Sequence, residues 1–372
     1  MLLLEVSAFA YLLVMLIISL GWYFSKVFIP KPFSGLLKVS VVIAVRNEAN
    51  NILHLLISLA KQNYPSKLFE VIIVDDNSED AIIEIIEKFK NENPDLNLSI
   101  IHSQGVGKKE ALKRGFEVSN NEIIITTDGD CLVDPDWIKN YVSFFENSES
   151  QMLFGSVFYT NTKNLLQKIF TLEFSTLVAS GAGSAGAGLP LMGNGANLAF
   201  RKAAFEKVKE RLSGSKFASG DDVFLMHSIA AYYGKNSVKF IKNKQSIVTT
   251  SAPDRLGKFV NQRIRWGSKA KAYKSIWALT VSLVVLLFNV LLGFTAFLSF
   301  FKIWFLAVFA LFVILKFLID FPLSNSFLRF YNQRVSALML FPLEFVYPFY
   351  ILLTALFSIF IPYQWKGRKK IK

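Results

Sequence analysis

Residues 123–132 read IIITTDGDCL, in which a run of apolar and β-branched residues leads directly into two aspartates separated by one glycine. The apolar run predicts a buried strand. Two carboxylates at the end of such a strand lose hydration and repel each other unless a positive charge lies near them. Asp128 and Asp130 therefore form either a solvated turn or a cation site, and the rest of the chain decides between these interpretations.

Short apolar runs alternate with segments of helical periodicity from residue 39 onward. The predicted strands are VSVVIAV (39–45), FEVIIVDD (69–76), LNLSIIH (96–102) and EIIITTD (122–128). The predicted helices between them are EANNILHLLISLAKQ (48–62), EDAIIEIIEKFKNEN (79–93) and GKKEALKRGFEVS (107–119). This alternation predicts an α/β domain with a mostly parallel sheet and helices on both faces.

Ligands of such domains bind beyond the carboxyl ends of the strands. Asp76 and the Asp128/Asp130 pair all lie at this predicted edge, although Asp76 also fits a helix cap or turn. Mg²⁺ and Mn²⁺ prefer oxygen ligands that they share with phosphates, so the pair predicts a diphosphate held through a divalent ion. Lys108, at a helix start, would add positive charge for a pyrophosphate, and a solvated helix residue is the alternative. Neither a dinucleotide-binding GxGxxG nor a P-loop is present.

The composition points to a membrane protein. Of the 372 residues, 52% are hydrophobic, and the mean hydropathy of +0.39 is too high for an ordinary soluble chain. Three stretches lack charged residues and are long enough to span a bilayer: Val6–Ser25, Ser275–Phe301 and Phe345–Trp365. A shorter stretch, 303–319, is interrupted by Lys316 and is a weaker candidate. The first stretch lacks a basic start and a small-residue cleavage site, which favours a retained anchor over a signal peptide.

Charge distribution predicts the orientation in the membrane. Lys26, Lys31 and Lys38 follow the first span closely and place the following domain in the cytoplasm. A single cysteine, Cys131, excludes an internal disulfide and agrees with a reducing compartment. The net charge of +13 is concentrated beside membrane segments, so it favours anionic lipid headgroups over nucleic acid as the partner. We expect an integral protein of the bacterial inner membrane.

The soluble part of the chain resembles the family 2 glycosyltransferases, membrane-bound enzymes of the GT-A fold that use nucleotide-diphosphate sugars. The resemblance covers Val39 to about Trp266. It rests on six segments in the expected order: VVIAVRNEANNI (41–52), VIIVDDNSED (71–80), GKKEALKRG (107–115), DGD (128–130), SGDD (219–222) and QRIRW (262–266). The last segment is similar to the Gln-x-x-Arg-Trp motif of cellulose and hyaluronan synthases and of ceramide glucosyltransferase. Ala44 in place of a frequent proline, and Gly-Asp-Asp in place of Glu-Asp, leave the subfamily open.

The resemblance implies a role for each matching residue. Contacts to the UDP- or GDP-sugar donor fall on Glu48, Asp76, Lys108, Asp128 and Arg265. A divalent ion, Mg²⁺ or Mn²⁺, falls on Asp130 together with Asp128. The catalytic base of an inverting transfer is Asp222, with Asp221 beside it, and the acceptor side includes Gln262, Trp266 and Asn197.

Several of these motifs have plainer interpretations. SGDDVF is also a suitable helix start, with an acidic side chain at the positive end of the helix dipole. Trp266 also suits an anchor at the membrane interface. The glycine-rich stretch 179–200 either lets the backbone approach a ligand or forms a flexible loop without chemistry.

Together these features predict five regions. They are an N-terminal transmembrane anchor (1–30), a cytoplasmic GT-A domain (36–253), an amphipathic interfacial segment with the QxxRW motif (254–274), a C-terminal transmembrane region (275–365) and a basic tail (366–372). The predicted function is transfer of a sugar to a lipid-linked or membrane-proximal acceptor. A processive polysaccharide synthase is the alternative, and a non-catalytic membrane binding protein is a third possibility that the retained acids argue against.

Overall fold

The computed structural model describes residues 1–32, 34, 36–160, 162–211, 221–361, 364–365 and 368–369. Most of the predicted basic tail, and Ser219 and Gly220 of the SGDD segment, lie outside the described residues. The strands are β1 Val39–Val45, β2 Phe69–Asp75, β3 Leu98–His102, β4 Ile123–Asp128, β5 Cys131–Val133, β6 Met152–Phe154, β7 Val157–Thr160, β8 Leu198–Arg201, β9 Val238–Phe240, β10 Val248–Ser251, β11 Gln364–Trp365 and β12 Arg368–Lys369.

Helices account for most of the remaining described residues. The α-helices are α1 Leu2–Phe24, α2 Ile52–Ala60, α3 Ile82–Glu92, α4 Lys108–Val118, α5 Trp137–Glu146, α6 Leu165–Gly186, α7 Lys202–Val208, α8 Asp221–Tyr233, α9 Leu256–Gly267, α10 Ile276–Leu298, α11 Trp304–Phe330, α12 Leu340–Glu344 and α13 Tyr347–Phe360. Short 3-10 helices include Gly195–Asn197 and Ser268–Ala272.

The chain forms two compact units. The α/β unit comprises Ser25–Asn161 and Met192–Ser251, and the helical unit comprises Met1–Phe24, Thr162–Leu191 and Ala252–Lys372. The expected domain of residues 36–253 thus contains a segment, 162–191, that the structure groups with the apolar helices. Most of this segment is α6, whose glycine-rich sequence carries no strong signal for a membrane helix.

The α/β unit is built on a mixed sheet. Within the described part of the chain, its strand order is β3-β2-β1-β4-β8-β6-β9. The first four strands are parallel, as predicted, whereas β8 runs antiparallel to both β4 and β6. Every side chain of β1 except Ala44 is buried, so both faces of the sheet are covered. A second, smaller sheet has the order β5-β10-β7.

Three helices of the helical unit are long and apolar enough to cross a membrane, counted over the described residues: α1, α10 and α11. The segment Ala337–Glu344, which contains α12, also passes this test together with α13, but the pair is bent by 76°. The predicted stretch 303–319 is extended in the structure to a helix of 27 residues, α11. At about 1.5 Å per residue, this helix is about 40 Å long and can span a bilayer.

Lys316 does not interrupt α11, because it is neutralised within the helical unit. Its ammonium lies 2.6 Å from the carboxylates of both Asp320 and Glu344, and 4.5 Å from the ring centre of Tyr347. Tyr11 of α1 donates a hydrogen bond of 2.8 Å to Asp320. Charges inside a membrane domain are tolerated when they pair with one another in this way. The charge of Lys316, which made 303–319 a weaker candidate in the sequence, is therefore compatible with a membrane-spanning helix.

Glycines let α1 and α6 pack closely. A Cβ atom on Gly183 would lie 2.2 Å from the backbone oxygen of Ile18, and one on Gly21 would lie 2.0 Å from the backbone oxygen of Gly183. The stretch 179–186, which the sequence left open as a loop, is therefore the end of a packed helix. Small residues permit a similar close approach between the helices of membrane proteins.

We predict that Gly183→Ala destabilises the helical unit, because the new methyl group meets backbone atoms that cannot rotate away. The expected loss is about 1–3 kcal/mol or more, as for other overpacked sites. Thermal unfolding in detergent measures it. Gly257→Ala in α9 is the matched control, since a Cβ there meets nothing within 4 Å. Equal melting temperatures for the wild type and Gly183→Ala would contradict the close packing of α1 and α6.

Candidate active site

The parallel register brings the predicted acidic residues to one edge of the sheet. Val45 pairs with Asp75, and Ala44 pairs with Asp128, so β1, β2 and β4 end at the same level. The backbone N–H of Asp76 donates to the carbonyl oxygen of Val45 at 2.9 Å. The predicted edge is therefore present, and Asp76 and the DGD segment both lie along it.

The loops that follow β1 and β2 are locked together by a buried arginine. Arg46 donates to the carbonyl oxygens of Asp76 and Asn77, and its guanidinium lies 2.8 Å from the carboxylate of Glu79. Asn47 and Asn77 both have positive φ, 51° and 53°, a conformation that asparagine tolerates better than most residues. The amide oxygen of Asn47 accepts the backbone N–H of Glu79 at 2.8 Å. These asparagines have a structural role that the sequence patterns did not reveal.

The start of α4 faces two of the predicted donor contacts. Asp76 is fully buried, and its Oδ1 accepts the backbone N–H of Gly107 at 2.9 Å. Lys108, the next residue, forms an ion pair with Asp128. Both side chains of this pair are partly exposed, at 25% and 32%. The structure therefore connects Lys108 to the DGD segment, and the interpretation of Lys108 as a solvated helix residue does not fit.

Close packing favours glycine in the middle of the DGD segment. A Cβ atom on Gly129 would lie 3.1 Å from a methyl carbon of Val45 and 3.3 Å from the Cγ of Glu48. Glu48 is itself buried, and its carboxylate accepts the side-chain N–H of Asn51 at 2.7 Å. Glu48, predicted as a donor contact, thus lies directly beneath the DGD turn.

Asp130 is the exposed acid of the DGD segment. Its Oδ2 accepts a hydrogen bond of 3.3 Å from the hydroxyl of Thr250 on β10. Among the described residues, no three His, Cys, Asp or Glu side chains are grouped so that they could hold a metal by themselves. An exposed carboxylate fits a hard cation that takes its other ligands from a diphosphate. The residues present therefore fit a divalent ion that takes its other ligands from a bound donor.

The cysteine beside the DGD segment is held as a neutral thiol. Cys131 is buried, and this burial raises the pKa of its thiol well above the ordinary value, with Asp130 and Asp128 adding to the rise. A protonated, inaccessible thiol is a poor nucleophile and a poor metal ligand. Cys131 therefore packs as a small apolar residue.

Asp222 is linked to the strand that carries the DGD segment. Its Oδ2 accepts the backbone N–H of Gly195 at 3.0 Å, and its Oδ1 accepts the N–H of Val223 at 2.9 Å. The carbonyl oxygen of the same Gly195 accepts the hydroxyl of Thr126 on β4 at 2.6 Å. Asp222 is half-buried at the start of α8, and the side chain of Asp221 lies outside the described part of the chain. Thr126 and Gly195 thus connect Asp222 to β4, and no sequence pattern predicted this link.

Asn197 is not presented to a ligand. Its side chain is fully buried, and its amide oxygen accepts the indole N–H of Trp137 at 2.9 Å and the hydroxyl of Tyr141 at 2.8 Å. Its amide nitrogen donates to the carbonyl oxygens of Ser156 and Ser246, at 2.8 Å each. The predicted acceptor contact through Asn197 is therefore replaced by a structural role, since these bonds use its hydrogen-bonding capacity within the α/β unit.

The remaining predicted residues belong to α9 of the helical unit. Gln262, Arg265 and Trp266 are half-buried on this helix. The side-chain oxygen of Gln262 accepts a hydrogen bond of 2.6 Å from Arg263, the residue between the predicted ones. Arg263 is buried and forms an ion pair with Glu173. Neither residue was predicted, although Glu173 is a lone acid within the apolar run KIFTLEFSTLVAS (168–180), which was a usable signal.

A mixed sheet with acids along the carboxyl edge of its parallel half defines a GT-A-like domain. The fold agrees with a solved mannosyltransferase from Pyrobaculum calidifontis, in complex with GDP-Man and Mn²⁺, to which the chain aligns with a TM-score of 0.62 and 17% identity over 96% of this chain and 97% of that one. Residues 40–209 match the family described as "Glycosyl transferase family 2". Residues 40–209 are therefore similar to a family 2 glycosyltransferase domain, in agreement with the resemblance of the motifs.

Curated relatives agree with this family. The chain is 34% identical to the glycosyltransferase AglE of Haloferax volcanii over 33% of its own length and 40% of the relative's. It is 26% identical to the poly-beta-1,6-N-acetyl-D-glucosamine synthase of Staphylococcus epidermidis over 74% of its own length and 68% of the relative's. The chain thus spans less than half of the first of these relatives. One of the two is a polysaccharide synthase.

Proposed function

We propose that the protein is an inverting glycosyltransferase that moves a sugar from a UDP- or GDP-sugar to a lipid-linked or membrane-proximal acceptor. The observation that carries this proposal is the link from Thr126 through Gly195 to Asp222. It ties a half-buried carboxylate to the same strand that ends in the Asp128/Asp130 pair. A base and a diphosphate-binding pair are the two components that an inverting transfer needs.

The donor side of the proposed reaction is the edge formed by β1, β2 and β4. Asp130 would hold Mg²⁺ or Mn²⁺, and such an ion supplies Lewis-acid stabilisation to the departing diphosphate. When the donor binds, the ammonium of Lys108 would leave Asp128 and pair with the same phosphates. Asp76 and Glu48, buried beneath this edge, would shape the nucleotide side. Arg265 remains a predicted diphosphate contact through its fork of donors.

Asp222 is the proposed base. Its carboxylate takes the proton from the acceptor hydroxyl while that oxygen forms a bond to the anomeric carbon. The bond from this carbon to the diphosphate breaks at the same time, and its electron pair leaves with the diphosphate. Hydrogen bonds from Gly195 and Val223 would fix the carboxylate, and each of its oxygens can accept more than one such bond.

The acceptor side rests on the QRIRW segment. Trp266 offers an apolar face to a sugar or lipid, and Gln262 offers a polar contact. A processive polysaccharide synthase is the second candidate, because one curated relative that matches most of the chain is such a synthase. Sizing the products formed from a labelled donor separates a single transfer from polymerisation.

We predict that activity disappears on chelation and returns with Mn²⁺ or Mg²⁺, because the diphosphate leaves as an anion that the cation stabilises. Asp130→Asn should abolish the effect of the metal on donor binding. Isothermal titration with UDP-glucose, UDP-N-acetylglucosamine and GDP-mannose, with and without Mn²⁺, identifies the donor and measures this effect. Asp95→Asn, in an exposed turn before β3, is the matched control. Full activity in excess chelator would rule out the metal.

A separate prediction concerns the base. Asp222→Asn keeps the shape of the side chain and removes the proton acceptor, so turnover should fall about 10²- to 10⁴-fold while donor binding persists. Nucleotide-release assays and donor titrations measure the two quantities. Asp221→Asn should lower turnover less. If Asp221→Asn is inactive and Asp222→Asn is normal, the base is the preceding residue; if both are active, the base lies elsewhere.

We also propose that the α/β unit lies in the cytoplasm of a bacterial cell, at the inner membrane. Lys26, Lys31 and Lys38 after α1 support this orientation through the positive-inside tendency. With α10 and α11 as two crossings, Arg329 and Arg334 return to the cytoplasmic side, and so does the basic tail if the bent pair α12–α13 re-enters the membrane without crossing it.

The expected topology therefore has α1, α10 and α11 as spans, with both the α/β unit and the C-terminus inside. Cysteine labelling measures it: a cysteine introduced at Ser299, between α10 and α11, should react with an impermeant maleimide in intact cells. One introduced at Ser336, after α11, should react only after lysis. A C-terminal reporter found outside would show that α12–α13 crosses the membrane as one broken span.

A further inference from the structure

A buried ion pair joins three helices around the QRIRW segment. Arg263 of α9 and Glu173 of α6 are only 4% and 8% exposed. The Nε of Arg263 lies 2.9 and 3.0 Å from the two carboxylate oxygens of Glu173, and its Nη2 also contacts this carboxylate. Tyr350 of α13 donates its hydroxyl to Glu173 at 2.8 Å. The carboxylate is therefore held by an arginine and a tyrosine from two different helices.

The same guanidinium contacts two residues of the predicted acceptor side. Its Nη1 donates to the side-chain oxygen of Gln262 at 2.6 Å. Its central carbon lies 4.4 Å from the ring centres of both Trp266 and Phe259, a cation–π distance. Phe259 in turn stacks on Phe170 of α6, with ring centres 4.0 Å apart. Arg263 thus holds the side chain of Gln262 through a hydrogen bond and packs against the ring of Trp266.

Stability alone is a weak reason for this arrangement. Burying a charged pair costs desolvation that its mutual attraction barely offsets, and well-packed apolar side chains usually hold helices together as well or better. Apolar side chains cannot donate to Gln262 or place a cation under Trp266. A lysine cannot reproduce the planar fork that binds Glu173 and Gln262 together. The contacts of Arg263 with Gln262 and Trp266 therefore explain why an arginine is buried at this position.

We propose that Arg263, held by Glu173 and Tyr350, is a positioning residue that sets the side chains of Gln262 and Trp266 for the acceptor. The inference rests on the proposed function, in which these two residues face an acceptor that carries a hydroxyl group on a sugar or lipid. Arg263 itself does not touch the reacting atoms. Its loss should therefore weaken acceptor use more than donor binding.

The test compares Arg263→Lys, Glu173→Gln and Tyr350→Phe in the full-length protein, with hexyl β-glucoside below its micelle concentration as the acceptor probe. Loss of a hydrogen bond to a charged group is worth about tenfold or more in binding. We expect KM for the probe to rise about tenfold in the first two variants and less in Tyr350→Phe. The Kd for the donor should change less than about twofold, because the proposal gives Arg263 no contact with the donor.

A matched control and a second readout complete the design. Asp254→Asn breaks the exposed pair of Asp254 and Lys258 at the start of the same helix, and it should leave KM for the probe unchanged. The Trp266 emission, isolated by subtracting the spectrum of Trp266→Phe, should shift in Glu173→Gln. This readout needs no turnover, so it tests the positioning of Trp266 even if the proposed function fails.

The outcomes separate the two proposals. A rise in KM with unchanged donor binding, together with non-additive effects in the Arg263→Lys/Glu173→Gln double variant, supports positioning. Equal losses in donor binding, kcat and KM that follow a lower melting temperature overturn it, because they indicate a structural role alone. An unchanged Trp266 emission in Glu173→Gln overturns it as well. A wild type that transfers no sugar from any donor refutes the proposed function, and the emission then decides the positioning alone.

Discussion

The parallel register of β2, β1 and β4 is the constraint on which the site depends. Because Val45 pairs with Asp75 and Ala44 with Asp128, three strand ends are held at one level. The loops after β1 and β2 are held together at this edge. Arg46, in the first loop, donates to carbonyl groups of the second, and one asparagine in each loop adopts a left-handed backbone conformation. Any shift of one strand along another would separate Asp76 from the DGD segment.

This edge concentrates negative charge, and the structure compensates for it in two different ways. Lys108 pairs directly with Asp128, whereas Asp76 is stabilised by the N–H at the start of α4. Asp130 keeps its carboxylate exposed. The segment thus contains one acid that pairs with a lysine and one acid whose side chain is exposed. A donor carrying two phosphates and a divalent cation could exchange with the first and bind at the second.

Local patterns in the sequence predicted the first half of the α/β unit well, because its strands and helices alternate with clear periods. The ends of the helices were less predictable: α2 begins at Ile52, since residues 49–51 form a turn and Glu48 packs against Gly129. Sequence patterns did not predict the features that depend on contacts between distant residues. Glycines that resemble a loop pack in a helix against α1, and the charge of Lys316 is cancelled by acids 4 and 28 residues away. Asn197 was predicted to contact the acceptor, but its side chain forms hydrogen bonds with four buried residues instead.

The order in which the chain visits its two units has a consequence for folding during synthesis. Strand β8 lies between β4 and β6, yet it is made only after the chain has left the α/β unit to build α6. At about 5–20 residues per second, the growing sheet carries an unpaired edge at β4 for on the order of ten seconds. During that interval α1 is already available to the membrane. Tethering the nascent domain at the bilayer would keep neighbouring unfinished copies from pairing through that edge.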